Sequence, residues 1–279
     1  MPSTAKPLIV FSHGNSFPAS TYGAMLQHLT TRGYDVRAIE KIGHDPAYPV
    51  TNNWPHLVAQ LADFTQRQVL QKPDQSLYLV GHSLGGFLSL MCAAKHPELG
   101  GHPVRGVILL DSPVIGGWRA KALRAAKQLG VIGSVRPGRV SQKRKNVWPD
   151  AHAAFLHFRT KKNFMAWDDE AIYHYVENFK THPQGHRHLG FDRDIETAIY
   201  NTLPDNMEAH LSRYALQCPV AFVGGLQSVE VKRVGLDLTK KLSQERLRMV
   251  PGSHLFPIEN PLVTAAAIDA EILNIAALT

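Results

Sequence analysis

A chain of 279 residues with 44% hydrophobic and 19% charged side chains has the composition of an ordinary soluble globule, long enough to bury a core without disulfide or metal staples. No apolar run approaches the length of a membrane span and residues 1–6 lack the apolar core of a signal peptide, so we expect a cytoplasmic protein. Cys92 and Cys218 lie beside apolar runs and indicate small buried side chains in a reducing compartment, although a disulfide between them stays open.

The positive charge is concentrated in one segment. The net charge is +7, and nine of the 30 Lys and Arg residues fall within residues 119–145, which contain no Asp or Glu. Such a run favours a solvated face, with an anionic substrate or surface as the alternative. No nucleic-acid-reading motif accompanies the charge, so we do not expect a nucleic-acid partner.

In chain order, apolar runs that predict strands alternate with helical patterns. Asn53 is expected to cap the first long helix, which ends near Leu70. This alternation predicts a mostly parallel sheet covered by helices on both faces. The strands are predicted at residues 7–12, 34–40, 77–80, 104–111, 219–225 and 247–250, and further helices at residues 84–95, 231–242 and 261–277.

The central motif joins the third of these strands to a helix. It reads Gly81-His82-Ser83-Leu84-Gly85, the Gly-x-Ser-x-Gly pattern of a nucleophile elbow. A serine at the apex of so tight a turn stands clear of the sheet, and strand and helix approach too closely for side chains at the flanking glycines. We expect the N–H of Leu84, at the start of the helix, to receive negative charge.

With this elbow the chain resembles the α/β-hydrolase superfamily, from Pro7 to near the C-terminus. The resemblance implies an α/β-hydrolase fold with a sheet of about six strands, because the strand leading to His13 and Gly14 comes almost first. It also implies a helical cap inserted after the strand that ends at Asp111. We therefore expect a core of residues 1–112 and 215–279 and a cap of residues 113–214.

The resemblance supplies a general base after the last strand, where this chain has His254. The acid is less regular, because Ser228 occupies the position at which the superfamily commonly has aspartate. Asp111 is the favoured acid, Glu230 is the alternative, and a Ser83–His254 dyad without an acid is the third possibility. The cluster of His182, His186 and His188 is interpreted as a polar loop and not a metal site, because no acidic partner stands at a ligand spacing.

The second oxyanion donor is expected from the loop after the first strand, as the N–H of Asn15, with Ser16 and Phe17 as alternatives. The sequence thus predicts a serine hydrolase that cleaves a small carboxylic ester or thioester with an apolar acyl part, without metal or cofactor. A second hypothesis is a thioesterase or phospholipid-type esterase that grips an anionic substrate through residues 119–145. A third is a non-catalytic binding protein on a hydrolase scaffold. The oligomeric state is not predicted.

Overall fold

A computed structural model describes residues 6–71, 75–129 and 138–278. Its main sheet follows the order β10-β9-β5-β3-β1-β2, and the short β4 pairs antiparallel with β5. The other strand pairs of this sheet are parallel. The prediction of a mostly parallel sheet of about six strands is confirmed. The strands are β1 (Leu8–Ser12), β2 (Asp35–Ala38), β3 (Leu77–His82), β4 (Glu98–Leu99), β5 (His102–Leu110), β6 (Val147–Trp148), β7 (Lys180–Thr181), β8 (Arg187–His188), β9 (Val220–Gly225) and β10 (Leu247–Val250).

Both faces of the central strands β1, β3 and β9 are buried, which explains why these strands read as continuous apolar runs. In β1, Ile9 and Phe11 join one core cluster, whereas Leu8 and Val10 join another on the opposite face. This alternation follows from the two-residue repeat of a strand. The helices are α1 (Gly23–Thr31), α2 (Pro55–Val69), α3 (Leu84–Lys95), α4 (Gly117–Gln128), α5 (Gly138–Lys143), α6 (Ala151–Arg159), α7 (Asp169–Glu177), α8 (Arg193–Asn201), α9 (Met207–Arg213), α10 (Val229–Val234), α11 (Asp237–Ser243), α12 (Phe256–Glu259) and α13 (Pro261–Ala276).

The helices divide between the two faces. Helices α1 and α13 contact each other and contribute to the cluster that contains Phe11, while α2 and α3 pack together on the Leu8 side. Since α3 contacts β1, β3 and β5 directly, the helix that follows the elbow lies against the centre of the sheet. The elbow is therefore supported by the most buried part of the molecule.

Helices α4 to α9 lie between β5 and β9 in the chain, together with a small antiparallel sheet of order β6-β8-β7. Its strands have two residues each, too short to produce an alternating pattern in the sequence. Aromatic side chains, among them Trp148, Phe158 and Tyr175, form much of the interior of this segment. We call the part of the chain between β5 and β9, which contains α4 to α9 and the small sheet, the inserted segment.

Local expectations differ from the structure at two places. Asn53 does not cap α2, because its side-chain Oδ1 accepts a hydrogen bond from the Asp205 N–H (2.9 Å) and Trp54 is the residue before the first turn. The single helix expected at residues 231–242 is two helices, α10 and α11, separated at Gly235 with φ 75°. That angle is readily adopted by glycine and ends α10.

The two cysteines are not joined by a disulfide. Cys92 is buried and Cys218 is partly buried, and both are free thiols. Burial raises the pKa of both thiols to about 12. Among the described residues, no helix combines the length and apolarity needed to cross a membrane.

Candidate active site

The elbow has the tight geometry that its glycines predict. Ser83 lies between β3 and α3 with φ 52° and ψ −114°, and its side chain is partly exposed. A Cβ on Gly81 would overlap the backbone of Gly85, and one on Gly85 would overlap the carbonyl group of Ser12. Only glycine fits at these two positions, so the local sequence determines the turn. The positive φ of Ser83 is a strained backbone state of the kind that concentrates at functional sites.

His254 and Asp111 meet beside this turn. Asp111 follows β5, has φ 44° and is 1% exposed. The distance from His254 Nδ1 to Asp111 Oδ2 is 2.7 Å. Since a carboxylate oxygen can only accept, Nδ1 carries the proton, and Nε2 remains to accept one.

Ser228, which occupies the position where an acid was expected, contacts Asp111 directly. Its hydroxyl donates to Asp111 Oδ2 at 2.5 Å, and the N–H of Gly225 donates to Asp111 Oδ1 at 2.8 Å. Together with His254, three donors thus hold the buried carboxylate in one orientation. Glu230, the alternative acid, has its Oε2 3.8 Å from His254 Nδ1 and a side chain 49% exposed. It lies near the imidazole as a second charge, beyond hydrogen-bond distance.

These groups control the protonation of His254. Burial opposes the charged imidazolium, but the hydrogen bond and charge of Asp111, with the charges of Glu230 and Glu259, outweigh it and raise the pKa of His254 above 6.5. A raised pKa describes a site that stabilises an imidazolium. That is the charge a general base acquires when it removes a proton from serine.

His82 connects the elbow to the His254 loop. Its Nε2–H donates to the carbonyl oxygen of His254 at 2.8 Å, and the two ring centroids are 4.9 Å apart. Its Nδ1 therefore accepts from the hydroxyl of Tyr22 (2.7 Å), which accepts from the N–H of Gly14 (3.0 Å). Burial and the neighbouring His254 lower the pKa of His82 well below 6.5, so the ring stays neutral. Because His82 immediately precedes Ser83, this chain of hydrogen bonds brings the His254 loop beside the elbow.

The loop after β1 lies beside the elbow, because the N–H of Gly14 is linked through the Tyr22 hydroxyl to His82. The N–H of Phe17 donates to the Gly14 carbonyl at 3.3 Å. Of the three expected donors on this loop, Asn15 and Ser16 therefore remain. Leu84 is the first residue of α3, so its N–H belongs to the unpaired first turn of that helix. The N–H of Leu84 and those of Asn15 and Ser16 are therefore the candidate donors for an oxyanion hole.

The site residues could also be considered as metal ligands. In the described part of the chain, one group of three side chains, Asp111, Glu230 and His254, offers ligand atoms within 4.8 Å of one another. The oxygens of Asp111 already accept from three donors, and those protons would oppose a cation. The arrangement suits an acid that orients an imidazole better than a metal site. The rings of His182 and His188 stack 4.1 Å apart in the inserted segment.

Three cations of the basic residues 119–145 form ion pairs with carboxylates of the protein. Lys127 Nζ lies 2.9 Å and Arg124 Nε 3.4 Å from the carboxylate of Asp205. Arg144 Nη1 lies 2.9 Å from the carboxylate of Glu196. These three cations stabilise the inserted segment, and Arg136 lies outside the described residues. The anion-gripping hypothesis therefore has fewer cations available than the sequence suggested.

Two cavities differ in their relation to the elbow. The larger, about 260 Å³, lies in the inserted segment, and its lining residues, Lys180, His182, His188 and Arg193 among them, include no predicted site residue. The smaller, about 10 Å³, is apolar and has Phe87 in its wall. The N–H of Phe87 donates to the carbonyl of Ser83 (3.3 Å) one helical turn earlier in α3, but Ser83 is not among the lining residues. Its lining is Phe87, Ile115, Leu203, Pro204 and Met207.

Sequence reasoning missed the groups that act on the site from a distance. The elbow motif signalled Ser83 but not the hydrogen bonds of His82, although that residue lies inside the motif. Ser228 was seen only as a missing acid. Glu196, which contacts the loop after β1 from α8, had no local signal at all.

The sequence matches a family model and several known proteins. A family model described as serine aminopeptidase, S33, matches residues 3–183. A protein of Mycobacterium phage D29 named as a non-heme haloperoxidase is 31% identical over 136 residues, covering 46% of each chain. A Rattus norvegicus monoglyceride lipase is 30% identical over 115 residues, covering 40% of this chain and 36% of the lipase. The chain thus spans less than half the length of these two relatives.

Solved structures show the same fold over nearly the whole chain. An E-2-(acetamidomethylene)succinate hydrolase superposes with TM-score 0.71 at 24% identity, covering 96% of this chain and 91% of its own. The peroxisomal α/β-hydrolase Lpx1 of Saccharomyces cerevisiae gives TM-score 0.72 at 14% identity, covering 100% of this chain and 79% of its own. At these identities the likeness shows the fold alone.

Proposed function

The chain belongs to the serine aminopeptidase S33 family of α/β-hydrolases, and we propose on that premise that it cleaves carboxylic esters or thioesters. The reaction proceeds through an acyl-enzyme on Ser83. His254 is the general base, Asp111 is the acid that orients it, and the N–H groups of Leu84 and Asn15 form the oxyanion hole. No metal or cofactor takes part.

The proposed steps assign one role to each ring nitrogen of His254. Its Nε2 removes the proton of the Ser83 hydroxyl while the oxygen attacks the substrate carbonyl, and Asp111 stabilises the resulting imidazolium through Nδ1. The two N–H donors stabilise the negative oxygen of the tetrahedral intermediate, each by about 3 kcal/mol. The imidazolium then protonates the leaving alcohol or thiol. A water molecule, deprotonated by the same Nε2, releases the acyl group.

The observation that carries the proposal is the 2.7 Å contact between His254 and a buried, fully hydrogen-bonded Asp111. The loop that bears His254 is held against the residue before Ser83. A receptor on this scaffold would have no need of such a contact. The ion pairs of Arg124, Lys127 and Arg144 with carboxylates do not favour a phosphate-gripping site.

The cavity that includes Phe87 has a volume of about 10 Å³, which is room for about one water molecule and not for an acyl chain. The proposed acyl part is apolar, and its chain length is an outcome of the panel described below. A thioesterase domain from the curacin biosynthetic pathway has a similar fold, with TM-score 0.69 at 20% identity, covering 96% of this chain and 92% of its own.

The test is a panel of nitrophenyl esters and acyl thioesters from two to sixteen carbons, hydrolysed by the wild type and by Ser83→Ala. We expect the wild type to hydrolyse esters or thioesters of this panel and Ser83→Ala to lose about 10⁴-fold or more in kcat/KM. The panel is run at low and high salt, because recognition of a charged substrate weakens as salt rises. Hydrolysis unaffected by Ser83→Ala, or no hydrolysis of any ester or thioester, would overturn the proposal.

A further inference from the structure

The loop that carries the expected oxyanion donor has a strained backbone. Ser16 has φ 81° and is 5% exposed. A positive φ in a residue other than glycine persists only where the surroundings over-determine it. The groups that contact this loop therefore decide where its N–H donors point.

Those groups come from the inserted segment, about 180 residues away in the chain. The Ser16 hydroxyl donates to Glu196 Oε1 at 2.5 Å, and Asn15 Nδ2 donates to the Glu196 backbone carbonyl at 3.0 Å. Phe17 packs on Trp167 and Tyr175, with ring centroids 5.7 Å apart in both pairs. Three consecutive loop residues thus contact the inserted segment.

Glu196 is itself held in place by a partly buried cation. Its side chain is 5% exposed, and Arg144 Nη1 donates to its two carboxylate oxygens at 3.1 and 2.9 Å. Arg144 Nη2 donates to the hydroxyl of Tyr175 at 3.1 Å. A buried carboxylate without such a partner would be strongly destabilising, so the position of Glu196 is fixed by this pair. Hydrogen bonds thus connect Tyr175 to Arg144, Arg144 to Glu196, and Glu196 to Ser16.

We propose that Glu196, fixed by Arg144, is a positioning residue that holds the oxyanion loop in its catalytic conformation. The inserted segment is then a required part of the oxyanion hole and not only a cover over the substrate. This inference rests on the proposed serine-hydrolase function. It adds a residue of α8 that acts through Asn15 and Ser16 on the developing oxyanion and touches no reacting atom.

The test compares Glu196→Gln and Ser16→Ala with Asp194→Asn, an exposed carboxylate on the same helix. Ser16→Ala removes one hydroxyl and leaves the Arg144–Glu196 pair intact, so it remains informative if Glu196→Gln folds poorly. With nitrophenyl acetate we expect kcat to fall about ten- to a hundredfold in both variants, because a small misplacement of a donor reduces only transition-state binding. KM should stay within about twofold, and Asp194→Asn should match the wild type.

A second readout separates positioning from a general structural role. A trifluoromethyl ketone forms a tetrahedral adduct that occupies the oxyanion hole, so its affinity should fall by the same factor as kcat. Active sites are counted by fluorophosphonate labelling, and kcat is expressed per labelled site. Unchanged kcat per site and unchanged ketone affinity in Ser16→Ala and Glu196→Gln would overturn the inference while leaving the proposed function intact. A wild type that takes no label at Ser83 would instead refute the proposed function.

Discussion

Replacing Asp111 by asparagine removes the charge from the centre of the proposed site with almost no change in volume. Asp111 Oδ2 accepts from His254 and Ser228, and Oδ1 accepts from the N–H of Gly225. An asparagine has one oxygen and one amide NH₂, so in either orientation the NH₂ faces a donor. The imidazole then loses its charge-assisted partner and its fixed tautomer.

The magnitude follows from that geometry. A triad aspartate changed to asparagine in this way lowers kcat by about 10⁴-fold, or about 5.5 kcal/mol at 1.36 kcal/mol per tenfold change. Glu230 cannot replace it, because its Oε2 is 3.8 Å from His254 Nδ1 and its side chain is 49% exposed. An exposed ion pair contributes less than about 1 kcal/mol. We therefore expect Glu230→Gln to reduce kcat less than about fivefold.

The assay is steady-state hydrolysis of nitrophenyl acetate by wild type, Asp111→Asn and Glu230→Gln, with thermal unfolding to show that each variant is folded. Asp111→Asn should lose at least about 10³-fold in kcat with little change in KM. A larger loss in Glu230→Gln than in Asp111→Asn would refute the assignment. Equal and small losses in both would favour a dyad without an acid.

Three further predictions concern pH and packing. Because Asp111 and Glu230 raise the pKa of His254, the acid limb of kcat/KM should lie above pH 6.5 and move to lower pH in Glu230→Gln; a limb that does not move would contradict this. Burial lowers the pKa of His13 to about 4, so its contribution to stability is complete above pH 6.5 and lost as the pH falls. Between pH 7 and pH 5, the free energy of unfolding measured in urea should fall by about 2 kcal/mol less in His13→Gln than in the wild type. An identical fall in the two proteins would contradict this prediction. A Cβ on Gly14 would lie 2.7 Å from Nδ1 of His82, whereas a Cβ on Gly23 would meet nothing within 4 Å. Gly14→Ala should therefore lower kcat more than about tenfold, and the control Gly23→Ala should not. Equal activities of the two variants would show that the loop after β1 can shift to make room.

The sequence predicts most of the sheet because its central strands are buried on both faces. Runs such as Leu8–Ser12 and Val220–Gly225 are short, apolar and followed by turns, so their limits are visible without a structure. The inserted segment is less predictable. Its small sheet has strands of two residues. The break between α10 and α11, which lies after β9 and outside this segment, depends on one backbone angle at Gly235. Neither leaves a periodic signal.

The candidate site divides in the same way. Ser83 is predicted from a local motif, since the tight turn requires glycine on both sides of it. His254 is predicted from the resemblance to the α/β-hydrolase superfamily, which implies a base after the last strand. The acid could only be narrowed to three possibilities, with Asp111 favoured, because the orientation of a side chain at a strand end depends on its neighbours in the sheet. Glu196 could not be found, since its contact with Ser16 joins residues 180 positions apart. Only the folded chain brings them together.

The central claim is that the hydroxyl of Ser83 is activated by His254. The most direct measurement is the rate and position of labelling by a fluorophosphonate, followed by intact mass and peptide mapping. The account predicts one adduct per chain, at Ser83, with labelling slowed at least a hundredfold in folded His254→Ala. An adduct at another residue, or labelling of Ser83 at the wild-type rate without His254, would contradict it.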